Sequence, residues 1–199
     1  MYKVHGMAVS GNCHKVKLIL ELLGEPYEWH EVNTMKAETR TPQFLAMNPE
    51  GRVPVLEFGP GRFLPESNAI LCYLADGTEW WPAERLARAE TLQWMFFEQY
   101  SHEPYIAVAR FIRKFKPSDP RAANMGRITE RGNQALAVME QHLAKRDYFV
   151  AGRCTIADIA LHAYTHVAAD GGFDLKAYPA VDRWLKRLHE QDRLQPIRG

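Results

Sequence analysis

The spacing of apolar residues changes repeatedly over residues 1–77, and the changes predict strands alternating with helices. YKVHGM and PYEWHEV have the short, partly alternating pattern of strands. Gly24 follows the last position of an intervening helical pattern, CHKVKLILELLG, whose apolar stripe comprises Val16, Ile19, Leu20 and Leu23. Strand, helix and strand within about 30 residues predict a parallel βαβ unit with a right-handed crossover.

Three further elements are predicted in the same part of the chain. After a polar segment, NPEGRVPVLEF has the pattern of a turn that leads into a strand. The Pro-Gly pair of FGPGRF predicts a hairpin into a last short strand. ESNAILCYLADG predicts a helix with Ile70, Tyr73 and Leu74 on one face and Gly77 as its terminator.

From about Glu84 onward the strand pattern disappears, and four long helical segments are predicted. The first, ERLARAETLQWMFFEQYSHEPYIAVARFIRKF, should kink or break at Pro104. Its apolar positions are Leu86, Ala89, Leu92, Phe96 and Tyr100. The second, MGRITERGNQALAVMEQHLA, is weakened by Gly126 and Gly132. TIADIALHAYTHVAA and AYPAVDRWLKRLHEQ complete a helical half that ADGTEWWPAE joins to the first half.

Composition narrows the class of protein. The 199 residues are 46% apolar, which is enough for a packed core, and 25 basic against 24 acidic residues leave a net charge of +1. With no block of one sign, a nucleic-acid partner is not expected. No run approaches the roughly 20 apolar residues of a membrane span. Three separated cysteines are typical of a reducing compartment, so we expect a cytoplasmic protein.

The segment Ser10-Gly-Asn-Cys13 lies where a strand passes into a helix. Either Ser10 or Asn12 could cap that helix by accepting hydrogen bonds from its first amides. A helix start also favours an anion such as a thiolate, and it is where thioredoxin-like redox proteins carry a Cys-x-x-Cys pair. Here Ser10 takes the outer cysteine position, and its hydroxyl could donate a hydrogen bond to the sulfur of a ligand.

Two more pairs are candidates for ligand binding. Val53-Pro54 precedes a strand, where a proline costs no ladder hydrogen bond, and the sequence does not fix its isomer. Glu66-Ser67 opens a helix, where Ser67 could be an N-cap and Glu66 an acid that complements the helix dipole. The same pair could instead hold an amino-acid head group, with Ser67 on its carboxylate and Glu66 on its ammonium.

With these segments in place, the chain resembles a cytosolic glutathione transferase over essentially its full length. The resemblance rests on the Ser10 turn, NPEGRVPVL, PESNAILCYLA and GRCTIADIALHAY, in this order and at these spacings. It implies an α/β thioredoxin-like amino-terminal domain (residues 1–77) and an all-α helical-bundle carboxy-terminal domain (residues 84–199). It also implies a homodimer that acts in detoxification, with Thr155 and Asp158 as a structural capping box.

The resemblance further implies roles for the candidate residues in binding glutathione. Val53 would pair through its backbone with the cysteinyl part, with Pro54 cis, while Glu66 and Ser67 would hold the γ-glutamyl end. Ser10 would face the sulfur and keep it anionic for attack on a small hydrophobic electrophile. No metal is needed for this chemistry.

Two sets of residues complete the expected site. Arg52 could approach the glycyl carboxylate of glutathione or be a solvated loop cation. Phe97, Tyr100 and Tyr105 lie near the break at Pro104, in the helical domain that would contribute the electrophile pocket. Aromatic residues at helical spacing are more often core, and the break favours exposure of the two tyrosines to a cleft.

Other functions remain open at this level. Cys13 could make the protein a glutathione-dependent thiol-disulfide oxidoreductase or peroxidase, although an inner position inside the first helical turn more often holds a buried small residue. Asn12 could orient the sulfur or cap the helix, and capping is favoured. A non-catalytic interaction module is a third possibility. His162 and His166 are four residues apart without an accompanying metal motif, so we expect surface or interdomain positions for them.

Overall fold

The structure is a computed structural model that describes residues 1–192 and 194–197. The chain divides into two compact units. The first comprises residues 1–78 together with Ile197, and the second comprises residues 79–196. Strands occur in the first unit, and the described part of the second is built from helices.

Within the described residues, four strands form one mixed sheet in the first unit. They are β1 (Tyr2–Gly6), β2 (Tyr27–Glu31), β3 (Val55–Gly59) and β4 (Arg62–Pro65). The strand order is β2-β1-β3-β4. β1 and β2 are parallel, and β3 is antiparallel to both of its neighbours. The predicted βαβ unit and hairpin are therefore confirmed.

The register of strand pairing places the ends of several strands at the same edge of the sheet. Gly6, the last residue of β1, pairs with Glu31, the last residue of β2. His5 pairs with Val55 at the start of β3, and Val55 pairs with Pro65 at the end of β4. The segments that follow β1 and β4 and the segment that precedes β3 consequently meet at the same edge. These segments contain Ser10, Glu66-Ser67 and Val53-Pro54.

Helices α1 (Gly11–Leu23) and α3 (Ser67–Ala75) pack against each other in this unit. The predicted end of α1 is confirmed, because Gly24 adopts a left-handed conformation with φ of 66° and donates its N–H to the last turn. One expectation for α3 is wrong. Ile70 and Leu74 are buried, whereas Tyr73 is 46% exposed because the buried face continues through Leu71 instead.

A short helix in the polar segment is absent from the pattern-based prediction. This helix, α2 (Pro42–Met47), is capped by Thr41 and buries Phe44 against Val32 and Val55. Its six residues are fewer than two helical turns, which is too short for the spacing of apolar residues to show a helical period.

The second unit contains α4 (Arg85–Phe97), α5 (Glu103–Arg110), α6 (Met125–Leu143), α7 (Ile156–Thr165) and α8 (Pro179–Glu190). A π-helical segment, Glu98–His102, separates α4 from α5. Pro104 follows it at the start of α5. Proline has no N–H to donate to the carbonyl one turn earlier, so the regular α-helical hydrogen bonding is interrupted here. The predicted break at Pro104 is therefore confirmed.

The apolar stripe predicted for α4 does not face the core of this unit. Leu86 is 63% exposed and Phe96 68% exposed, and Tyr100, in the π-helical segment, is 79% exposed. The buried side instead includes Thr91 and Glu98. Thr91 satisfies its hydroxyl by donating to the Ala87 carbonyl at 2.8 Å, so a polar residue lies in the core at little cost.

Helix α6 continues through both of its glycines. At Gly132, an added Cβ would lie 2.4 Å from the Phe173 ring, so this glycine permits a close approach between α6 and the segment after α7. The loss of helix propensity at Gly132 is therefore balanced by packing.

The capping box of α7 is confirmed. The Thr155 N–H donates to Asp158 Oδ2 at 3.0 Å, and Asp158 also accepts from the Phe149 N–H and the Trp184 indole N–H. Burial raises the pKa of Asp158 to about 6, although these hydrogen bonds oppose the shift. In the described part of the chain, no helix is long and apolar enough to cross a membrane.

Candidate functional site

Ser10 is the N-cap residue of α1, and its backbone is extended, with φ of −82° and ψ of 124°. Its Oγ accepts a hydrogen bond from the Cys13 N–H at 3.4 Å. Of the two capping residues left open by the sequence, Ser10 is the cap, so the expectation that Asn12 acts by capping is wrong. Because capping uses a lone pair of the hydroxyl oxygen, the Ser10 proton is not consumed by the cap. The capping and donor roles considered for Ser10 are compatible.

The turn before α1 is held by several contacts from outside it. The Ala8 N–H donates to both carboxylate oxygens of Glu31, at 3.1 and 3.2 Å, and Glu31 also accepts from the Trp29 indole at 2.7 Å. At Gly6, an added Cβ would lie 2.7 Å from the Trp29 ring and 3.2 Å from the Cys13 sulfur. Gly6 thus allows Trp29 and Cys13 to close around the turn that carries Ser10.

Cys13 lies inside the first turn of α1 and is fully buried. Its Sγ accepts a hydrogen bond from the Met7 N–H at 3.4 Å. Burial raises the pKa of the Cys13 thiol to about 11, against smaller opposing effects from hydrogen bonds with Ser10 and Met7. A thiol of this kind is protonated at neutral pH and inaccessible, which disfavours a nucleophilic role.

Glu66 and Ser67 form the second candidate region, directly after β4. Glu66, and not Ser67, occupies the N-cap position of α3, with φ of 70° and no side-chain cap hydrogen bond. A positive φ is unfavourable for a residue with a Cβ, and such strain is frequent at ligand-binding sites. Because the Glu66 side chain does not cap α3, the amides of its first turn can receive an anion.

Val53-Pro54 is the third region, and its peptide bond is cis. Val53 is half-buried, Pro54 is buried, and β3 begins at the next residue. The Asn48 side chain anchors this loop by donating to the Arg52 carbonyl at 2.9 Å. The Arg52 side chain is 76% exposed and lies 3.7 Å from Glu50, in the manner of a solvated loop cation.

A fourth group was not anticipated from the sequence. Lys15, on α1, is fully buried, and its Nζ donates to Ser67 Oγ at 3.3 Å and to Asn68 Oδ1 at 3.2 Å. Ser67 in turn donates to Asn12 Oδ1 at 3.3 Å. The structure thus brings Asn12 and Ser67 together, with Lys15 beneath them. Its position in the sequence was the one indication that Lys15 is buried, since Lys15 precedes Ile19 of the apolar stripe by one helical turn.

The three aromatic candidates of the helical unit have different neighbours. Phe97 packs edge-on against Trp94, with ring centroids 5.3 Å apart. Tyr105 is half-buried beneath the guanidinium of Arg131, which lies 5.7 Å from the ring centroid. Tyr100 is the most exposed of the three. Phe97 and Tyr105 are both half-buried, and Phe97 differs in packing against the buried Trp94 ring.

A surface position, one of the two alternatives expected for His162 and His166, is wrong for His162. His162 is fully buried within the helical unit, and its Nε2 lies 3.0 Å from Nε2 of His189 on α8, while its ring stacks on His166. His162 is therefore not a surface residue. Among residues 1–192 and 194–197, no group of three or more histidine, cysteine or acidic side chains could hold a metal ion. All three cysteines are free thiols.

Comparison with known proteins identifies the class. Residues 9–76 match the family described as "Glutathione S-transferase, N-terminal domain", and residues 102–192 match "Glutathione S-transferase, C-terminal domain". The chain belongs to the glutathione S-transferase family. A thioredoxin-like amino-terminal domain followed by a helical domain is the fold expected from the sequence, and it is confirmed.

Three proteins to which the chain is similar come from bacteria. The chain is 51% identical to a glutathione S-transferase from Pseudomonas fluorescens Pf-5, with a TM-score of 0.95 over 100% of this chain and 99% of that one. A second family member from the same organism, solved with two glutathione molecules bound, is 29% identical with a TM-score of 0.84, covering 97% and 90% of the two chains. The disulfide-bond oxidoreductase YfcG of Escherichia coli K12 is 29% identical, covering 96% and 90%.

Proposed function

We propose that the protein is a glutathione transferase in which Ser10 keeps the glutathione sulfur anionic for attack on a small hydrophobic electrophile. The thiolate sulfur forms the new bond to carbon, and the leaving group departs with the electron pair of the bond that breaks. The thiol proton passes to solvent before the attack. No metal takes part in these steps.

One observation carries the proposal: three glutathione-binding regions expected from the sequence share one edge of the sheet. The pairings of His5 with Val55 and of Val55 with Pro65 bring the Ser10 turn, Val53-Pro54 and Glu66-Ser67 to that edge. Two helix starts, those of α1 and α3, belong to the same regions. In this arrangement Val53 pairs with the cysteinyl part of glutathione, and Glu66 and Ser67 hold its γ-glutamyl end.

Ionisation of the glutathione thiol at neutral pH can be explained without a general base. A free thiol has a pKa of about 8.5, so half ionisation at pH 7 requires about 2 kcal/mol of differential stabilisation. One hydrogen bond to a charged acceptor contributes about 1.5–3 kcal/mol. A helix start contributes about 0.3–1 kcal/mol more. A donor hydroxyl on Ser10 and the first turn of α1 can together supply the shift.

A glutathione-dependent disulfide reductase or peroxidase is the second candidate function, and the similarity to an oxidoreductase is the observation in its favour. The buried, high-pKa thiol of Cys13 argues against a route through that residue. A non-catalytic interaction module is the third candidate function, and such a module would show neither conjugation nor disulfide reduction even where it binds glutathione.

The test combines binding with activity. Isothermal titration calorimetry with glutathione should give saturable binding, and a chlorodinitrobenzene should be conjugated in a glutathione-dependent reaction. Binding without conjugation of this or any other electrophile class, but with disulfide reduction, would favour the oxidoreductase. Folded protein that does not bind glutathione would contradict the proposal and favour the interaction module.

We extend the proposal to a homodimer that uses the exposed apolar side chains of the first helical region. Leu86, Phe96 and Tyr100 are each more than half exposed in the single chain. Contiguous apolar patches on a protein surface mark sites of interaction with other proteins. A second copy of the chain would cover them. For the electrophile we propose the neighbourhood of Tyr100 and Tyr105, with Phe97 as a packing residue behind it.

A further inference from the structure

The buried ammonium of Lys15 has no part in the mechanism proposed above. Lysine is among the residues least often buried completely, because removing its charge from water is costly. Lys15 is nevertheless fully buried, and its Nζ contacts two side chains in the first turn of α3, Ser67 and Asn68. A costly residue directed at a candidate ligand site is itself a candidate for a role in that site.

We propose that Lys15 is a positioning residue for the α-carboxylate of the γ-glutamyl group: it orients the Ser67 hydroxyl and places a positive charge beneath the anion. This inference rests on the proposed function, since it assumes that Ser67 receives glutathione.

The orientation of the Ser67 hydroxyl follows from hydrogen-bond chemistry. An ammonium has three donors and no acceptor, so Ser67 Oγ must accept from Lys15. The single Ser67 proton then points away from Lys15, toward Asn12 Oδ1 at 3.3 Å. Ser67 is therefore set as a donor on the side of Asn12. An arriving carboxylate can accept this proton without reorienting the serine oxygen.

The charge of Lys15 acts over a short distance. A carboxylate that accepts from Ser67 Oγ would lie within about 6 Å of Lys15 Nζ, given ordinary hydrogen-bond lengths. At an effective dielectric constant of about 20, that attraction corresponds to roughly a hundredfold in affinity before desolvation is subtracted. Desolvation of the carboxylate opposes part of this attraction, and the experiment below tests for a net effect of about tenfold or more.

The same contacts join the two helix starts of the site. Lys15 and Asn12 belong to α1, and Ser67 and Asn68 belong to α3. The hydrogen bonds that Lys15 donates to Ser67 and Asn68 fix the first turn of α3 relative to α1, whether the Ser67 proton goes to Asn12 or to a bound carboxylate. The regions that would hold the γ-glutamyl end and the sulfur of one ligand are thereby kept in register.

The experiment pairs Lys15→Met with glutathione and two analogues, each of which is altered at one end of the tripeptide. The ligands are glutathione, γ-aminobutyryl-cysteinyl-glycine, which lacks the α-carboxylate, and γ-glutamylcysteine, which lacks the glycyl residue. Affinities are measured by calorimetry, with competition against S-hexylglutathione for weak ligands. Lys17→Met is the matched control, because Lys17 lies on the same helix with 46% of its side chain exposed, 3.8 Å from Glu21.

We expect Lys15→Met to weaken binding of glutathione and γ-glutamylcysteine at least tenfold and to change binding of the decarboxylated analogue less than threefold. Lys17→Met should leave all three affinities within about twofold. Equal weakening of all three ligands in Lys15→Met would show a merely structural role and overturn the proposal, as would unchanged glutathione binding. If Lys15→Met does not fold, Lys15→Gln provides the same comparison.

The experiment distinguishes a wrong role for Lys15 from a wrong assignment of the protein as a glutathione transferase. Wild-type protein that binds none of the three thiols contradicts the glutathione transferase assignment itself. Wild-type protein that binds glutathione, combined with a Lys15→Met variant that shows no selectivity for the α-carboxylate, contradicts the role of Lys15 alone.

Discussion

Replacement of Ser10 by alanine separates the two roles that the structure gives to this side chain. Ser10→Ala removes the N-cap acceptor, which lies 3.4 Å from the Cys13 N–H. Loss of such a cap costs about 1 kcal/mol of folding stability. It also removes the proposed donor to the glutathione thiolate, a loss of about 1.5–3 kcal/mol. At 1.36 kcal/mol per pKa unit, the pKa of the bound thiol should rise by about 1–2 units.

The assay is the pH dependence of kcat/KM for conjugation of a chlorodinitrobenzene. Below the wild-type pKa of the bound thiol, Ser10→Ala should be about 10–100-fold slower, because less thiolate is present. The difference should shrink at higher pH, where both enzymes hold the anion. Ser10→Thr retains a hydroxyl and should recover most of the activity.

A second cap provides the matched control. Thr41 caps α2 by accepting from the Phe44 N–H at 3.3 Å, which closely matches the geometry at Ser10. Thr41→Ala should lose a similar folding stability in urea denaturation and keep its pH profile. An unchanged pH profile in Ser10→Ala would contradict the donor role of Ser10. A loss of activity in Thr41→Ala as large as that in Ser10→Ala would contradict it too.

Three other predictions follow from buried or exposed groups. Cys13→Ala should retain conjugation within about threefold, because a buried, protonated thiol takes no part in it; loss of activity in this variant alone would reassign the chemistry to Cys13. Asp158 has a folded-state pKa of about 6. The folded state therefore binds more protons than the unfolded chain between about pH 4 and 6, and the free energy of unfolding should fall by up to about 3 kcal/mol as pH rises through that window. Urea denaturation of Asp158→Asn should lack this fall, and an unchanged slope would refute it. Phe96→Glu should convert the proposed dimer to a folded monomer in light scattering, whereas a wild-type monomer would contradict the proposed interface.

The regular elements of the first unit were predictable because their patterns agree with their surroundings. Val16, Ile19 and Leu20 of the predicted α1 stripe are buried, whereas Leu23 is only half-buried. Gly24 ends the helix in a conformation that glycine adopts readily. Val53-Pro54 could be placed before a strand, but its cis state could not be derived from composition or spacing. The order of the three regions along the chain was visible, and their meeting at one edge required the strand register.

The first helical region of the second unit shows why the same reasoning fails elsewhere. Phe96 and Tyr100 have core-like side chains and are exposed, while Glu98 and His102 are polar and buried. His102 is accommodated because its Nε2 lies 2.9 Å from the Thr165 hydroxyl. A hydrophobic pattern contains no information about such hydrogen-bonded partners in distant segments. In the proposed homodimer a second copy of the chain covers this face, which would account for its core-like side chains.

Lys15 was overlooked for a related reason. A lysine within a helix is normally assigned to the solvated side, and Lys17, two residues later, fits that expectation. The burial of Lys15 depends on contacts with residues 67 and 68, more than 50 positions away. Only the packing of α1 on α3 brings these groups together.

The central claim is that the bound sulfur of glutathione is an anion at neutral pH. Spectroscopic titration of the thiolate absorption in the binary complex of wild-type protein and glutathione measures this directly. We expect an apparent pKa near or below 7, at least 1.5 units beneath that of a free thiol. A bound thiol that ionises at the same pH as glutathione in buffer would contradict the account.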